Sequence, residues 1–236
     1  MNLNFKVLAD FDGSRKNNFT LIRLVLAWAV LYGHSYAIQK MPGVRDPLNY
    51  LFQGSTWFGA VAVNGFFVIS GFLVAASYLR RGLWDYTLSR SLRIFPALVV
   101  CVFISVFLLG AVFTSLDFGS YFSDSKTWRY LTNSIAFMPM KWNLPGVFEN
   151  NSLQAVNGSL WSLTVEVRCY LLLAVVAFLT LLRNRLVANI TIAVVLAVGV
   201  LAYSEIPLLG FNPRWARPAT FFLVGVAIYV NRGWIP

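Results

Sequence analysis

The amino-acid sequence predicts an all-α protein, a polytopic bundle of transmembrane helices with about six spans and one interfacial or re-entrant segment. Three observations carry that expectation. The 236 residues are 58% hydrophobic and only 12% charged, with a mean hydropathy of +0.66, against an apolar share of ~45–50% in a soluble domain. The apolar residues fall in runs near the ~20 needed to cross ~30 Å of hydrocarbon. The Lys and Arg residues cluster between those runs, so the formal net charge of +10 marks membrane-flanking segments and not a nucleic-acid-binding face.

Taken in order, the runs cover residues 20–38, 57–79, 94–116, 160–182 and 186–203. A last run, 219–230, is short for a crossing unless Trp215 and Arg217 belong to it, with the arginine snorkelling. The polar start of the chain and the absence of a small-residue cleavage pattern make the first run a retained helix. TWRYLTNSIAFM has too short an apolar part to span and is expected to lie at the interface or re-enter. Residues 141–158, with Pro145, two Gly and several Asn, form a loop. Cys101 and Cys169 lie inside apolar runs and are expected to be small buried hydrophobes.

A cytoplasmic N-terminus puts Lys6, Arg15, Lys16, Arg23, Arg80, Arg81, Arg90, Arg93, Arg183, Arg185 and Arg232 inside, the larger share of the basic residues. Neither an internal repeat nor a soluble domain is visible, so residues 1–236 read as a single membrane-embedded domain.

Ionisable groups inside a span cost at least ~2.5–3.5 kcal/mol near mid-bilayer, so each asks for a reason. His34, Glu166 and Arg168 stand out. His34 is the only histidine and the best available general base near neutral pH; the alternative is a histidine that only hydrogen-bonds a neighbouring helix. Arg23 precedes it by three helical turns, so one face carries a cation and a base roughly 16 Å apart, suited to an elongated anionic donor. A snorkelling anchor is the other reading of Arg23. Arg90 and Arg93 face the same way on a helical turn and could grip phosphate through paired hydrogen bonds, or touch lipid headgroups. In VNGFFVISGFLV, Asn64 and Ser70 are polar, and Gly65 and Gly71 allow close helix approach. Glu166 shares a helix face with Tyr170 and would reach the membrane layer of His34, where a carboxylate could orient an imidazole.

LIRLVLAWAVLYGH, VNGFFVISGFLV, SRSLRIFPA and GSLWSLTVEVRCY, in this order and spacing, resemble the membrane acyltransferase-3 family, bacterial O-acetylases of lipopolysaccharide, capsule and Nod-factor type with relatives in animals. The resemblance covers residues 20–170. It implies transfer of an acyl group, acetyl above all, from cytoplasmic acyl-CoA to a hydroxyl of a cell-envelope glycan or lipid-linked sugar, in a bacterial inner membrane and without a metal. Within it, His34 matches the family's histidine, Arg23 the arginine eleven positions earlier, Arg90 and Arg93 the paired arginines, and Leu160, Trp161, Ser162, Leu163 and Glu166 the LWSL and E motif. His34 and Glu166 are therefore expected to be catalytic, Arg23, Arg90 and Arg93 to hold the donor, and Asn64, Ser70, Trp161, Ser162 and Tyr170 to line the substrate cavity. Val167 and Arg168 depart from the acidic residue and glutamine usual after the glutamate. Members have about ten spans, so the domain is expected to be incomplete at its C-terminal end, or to complete its site by self-association. Rival readings are a proton- or ion-coupled transporter using His34, Glu166 and Arg168, and an inactive truncated remnant.

Overall fold

The structure, a computed structural model, describes residues 7–11, 17–39, 44–136, 142–151, 153–203 and 213–236. Lys6, Arg15 and Lys16, counted above among the inside basic residues, lie outside them, as does the end of TWRYLTNSIAFM. A 3-10 turn at Leu8–Phe11 precedes α1 (Phe19–Gln39), α2 (Pro47–Leu51) and α3 (Phe58–Phe103). A π-helical stretch, Ile104–Gly110, continues α3 into the short turn α4 (Ala111–Phe113). Then come α5 (Phe118–Ser123), α6 (Ser125–Ile135), α7 (Leu160–Phe178), α8 (Arg185–Tyr203) and α9 (Pro213–Val230). An isolated bridge between Thr114 and Val147 is the one extended pairing among the described residues.

Each apolar run forms helix, as lipid requires of a backbone with no water to bond. Among the described residues, three helical stretches are long and apolar enough to cross a membrane: Phe19–Ile38, Phe58–Phe113 and Leu160–Phe178. The second holds 56 residues, about 84 Å of helix if straight, and carries both the second and the third expected spans. Gly82, at φ 78° and ψ 177°, breaks it between them. The polar residues between these spans do not form a loop, because Arg80, Arg81, Asp85 and Arg90 are compatible with helix once Gly82 supplies the break. The last apolar run lies in a longer helix that starts at Pro213 and includes Trp215 and Arg217.

The chain divides into two compact units, Met1–Leu83 with Val165–Pro236, and Trp84–Thr164. In the first, α3 crosses α9 with backbones nearly touching. A methyl group on Gly71 would run into the Phe222 carbonyl oxygen, and one on Gly225 into the Val68 carbonyl oxygen. Small residues allow such contact where no hydrophobic force drives helices together. Phe222, Val226 and Tyr229 pack there at 1% exposure each.

In the second unit, Tyr121 and Tyr130 are fully buried among Leu98, Val102, Val106, Leu144, Val147 and Leu160. Asp117 and Asp124 cap α5 and α6 by accepting from the Ser120 and Lys126 amides at 3.0 and 2.8 Å. The α6 helix turns Thr127, Tyr130 and Ser134 inward from one face, so α6 is amphipathic and, at 11 residues, too short to span.

Candidate active site

His34 sits on the unbroken helix α1, half-buried, with Arg23 on the same helix eleven residues earlier, about 16 Å away along the axis. Its Nδ1 lies 2.8 Å from the Val30 carbonyl oxygen. A carbonyl only accepts, so Nδ1 carries a proton and Nε2 is the basic nitrogen of the neutral ring. The ring also meets Trp57 edge-on, centroids 5.1 Å apart and planes at 66°. On the other side of α1, Tyr32 packs edge-on against Phe58 at 5.2 Å, and its hydroxyl lies 2.8 Å from that of Tyr36. Between the two aromatic pairs α1 passes close to the start of α3: a methyl on Gly33 would stand 2.6 Å from the Gly59 amide nitrogen.

A second polar cluster joins α3 to α7. Oε1 of Glu166 accepts a short hydrogen bond from the Tyr170 hydroxyl and another from Ser70 Oγ at 3.3 Å. The two hydroxyls are 3.1 Å apart. Tyr170 is buried and Glu166 half-buried. The structure thus brings together three of the expected site residues, Ser70, Glu166 and Tyr170. The orienting partner of the His34 ring is the carbonyl of its own helix, where a carboxylate was expected, because a histidine at this position reaches the carbonyl four residues back without leaving α1. Asn64 is buried on α3 at 7% exposure. Arg168 is exposed on α7.

The other expected residues belong to the second unit. Arg90 and Arg93 lie three apart on α3, half-buried and exposed respectively. Trp161 and Ser162 are half-buried in the first turn of α7, where Ser162 Oγ donates to the Ser159 carbonyl at 3.1 Å. Asn157 Nδ2 donates to Cys101 Sγ at 3.1 Å. Sequence reasoning did not single out Trp57; its one signal was an aromatic side chain at the very start of the apolar run 57–79.

Helices of membrane-spanning length with ionisable side chains set among them define an integral membrane protein. The chain belongs to the acyltransferase-3 family: the family's model, an acyltransferase domain, matches residues 16–236 and runs through both units. It is 33% identical over 163 residues to an "O-acetyl transferase" of Shigella phage Sf6, across 68% of this chain and 46% of that protein. It is 31% identical over 170 residues to "Nodulation protein 10" of Rhizobium leguminosarum bv. viciae, across 70% of this chain and 45% of that one. The chain thus spans about half the length of these curated relatives. No solved structure matches it.

Proposed function

We propose that the protein transfers an acyl group, acetyl in the first instance, from acyl-CoA to a hydroxyl of a cell-envelope glycan or lipid-linked sugar. The observation that carries this reading is the 2.8 Å contact between Nδ1 of His34, a lone histidine in a membrane helix, and the Val30 carbonyl oxygen, which assigns Nε2 the part of the base. Nε2 takes the proton of the acceptor hydroxyl while its oxygen attacks the thioester carbonyl. Collapse of the tetrahedral intermediate breaks the C–S bond, and the leaving thiolate recovers the proton from the imidazolium. Glu166, anchored by Ser70 and Tyr170, supplies a fixed negative charge that favours the transient imidazolium. Arg23, Arg90 and Arg93 hold the donor phosphates, with Asn64, Trp161 and Ser162 shaping the acceptor side.

The family match and the name of the phage relative support acyl transfer. In this reading the N-terminus is cytoplasmic and the protein sits in the bacterial inner membrane, so the arginines meet a cytoplasmic donor. The test is acetyl transfer from labelled acetyl-CoA to purified lipopolysaccharide by the protein in nanodiscs. Orientation is tested by Trp84→Cys, at an exposed position near the Gly82 break, in a background lacking Cys101 and Cys169. It is expected to react with an impermeant thiol reagent only after the inner face is opened, and ready labelling of intact cells would reverse the orientation.

A further inference from the structure

The segment before α3 holds a carboxylate that the mechanism above does not use. Asp46 is only 5% exposed. Its Oδ1 accepts from the Leu48 and Asn49 amides at 2.9 and 3.3 Å, capping α2 just ahead of Pro47. Its Oδ2 accepts from the Phe58 amide, the first of α3, at 3.0 Å. One side chain therefore satisfies amides at two helix N-termini, where the helix dipoles also favour negative charge. The residue next to that tied amide is Trp57, whose carbonyl accepts from Val61 at 3.1 Å in the first turn of α3. Trp57 in turn presents its ring to His34, and Gly59 abuts Gly33 beside it.

We propose that Asp46 is a positioning residue for His34. By holding the first amide of α3 it fixes Trp57, and Trp57 with the Val30 carbonyl confines the imidazole to the orientation in which Nε2 meets the acceptor hydroxyl. This rests on the reading of His34 as the base. A cap for α2 alone would need one acceptor oxygen; the second oxygen makes the link to α3. Asn is as good an N-cap as Asp, but its amide nitrogen cannot accept a hydrogen bond. Asp46→Asn therefore keeps one of the two connections and cuts the other, with almost no change in volume.

The single histidine gives one set of imidazole signals, so the ring can be read directly in the full chain in nanodiscs by 15N- and 13C-histidine NMR. Wild type is expected to show the Nδ1-protonated tautomer, with ring protons displaced by the indole ring current. Asp46→Asn and Trp57→Leu should move those signals, while Trp57→Phe, which keeps an aromatic edge at the site, should retain most of the displacement. With labelled acetyl-CoA and purified lipopolysaccharide, Asp46→Asn and Trp57→Leu should lower kcat roughly tenfold to a hundredfold, the cost of a misplaced catalytic group, with KM for acetyl-CoA unchanged. Trp57→Phe should recover most of the loss. Asp46→Asn spectra identical to wild type overturn the proposal, and so do altered spectra with an unchanged kcat. If His34→Ala keeps full transfer activity, the base assignment falls instead. The two failures are told apart because the spectra report the position of the ring whether or not the ring is the base.

Discussion

The hydroxyls of Ser70 and Tyr170, contributed by α3 and α7 and 3.1 Å apart, converge on the same carboxylate oxygen, Oε1 of Glu166. In a low-dielectric interior such a cluster strengthens its members together, and the energy is not a sum of separate pairs. Tyr170→Phe and Ser70→Ala should each destabilise the protein, by about 1–3 kcal/mol, since each removes a donor to a charged group. The double variant should cost less or more than the sum by about 0.5–3 kcal/mol. Thermal unfolding of the four proteins in one detergent checks this, and strict additivity would mean the three side chains act apart.

The crossing at Gly71 and Gly225 predicts a steric penalty. Gly71→Ala points a methyl at the Phe222 carbonyl oxygen, a backbone atom that cannot rotate away. It should cost about 1–3 kcal/mol or more, as overpacking does. Gly54→Ala is a useful contrast, for a methyl there has nothing within 4 Å and meets only the backbone cost of φ +87°. Equal midpoints for Gly71→Ala and wild type would contradict the close crossing.

The Tyr121 hydroxyl, on α5 and outside the long apolar helices, is buried and donates to the Val106 carbonyl at 3.0 Å. Burial, and secondarily the neighbouring Tyr130, push its pKa up from 10.0 to about 12. A raised value means the fold favours the neutral form, so its contribution is complete below pH 10.0 and is lost as pH rises through about 12. Near-UV circular dichroism should record an alkaline loss of stability over that window, smaller in Tyr121→Phe. The phenylalanine variant should in turn be weaker at neutral pH by about 0.5–1.5 kcal/mol. The same alkaline profile in both proteins would assign the transition elsewhere.

Removing Arg90 and Arg93 tests the donor clamp. Each alanine should lose about 1.5–3 kcal/mol of acetyl-CoA binding, roughly one to two decades of affinity. Lysine should restore only part, because an ammonium lacks the planar fork. Calorimetric titration with acetyl-CoA gives the answer, and an affinity indifferent to both arginines would make the pair lipid anchors.

Much of this architecture could be read from the sequence, because lipid forces apolar runs of sufficient length into helix. The pairing of Glu166 with Tyr170 was visible too, from a spacing of four on one helix. Ser70, 96 residues from Glu166, could be named as a buried polar group but not assigned its partner, since helix packing sets that contact. Asp46 marks the same limit. An Asp followed by Pro signals the start of α2 locally, while its bond to the Phe58 amide twelve residues on depends on how the loop folds back. That Arg80 and Arg90 lie in helix on either side of the Gly82 break also escaped notice, because charge marks the end of a span without marking the end of a helix.

If His34 is the base in acyl transfer, His34→Ala in the full chain should separate transfer from donor binding. Labelled acetyl-CoA is added to the nanodisc-embedded variant, and both binding and transfer to lipopolysaccharide are followed. Acetyl-CoA affinity should stay within a few-fold of wild type while transfer falls by about 10²–10⁴-fold, the usual share of a general base. Transfer at the wild-type rate would contradict that role, since the chain has no second histidine to take the proton.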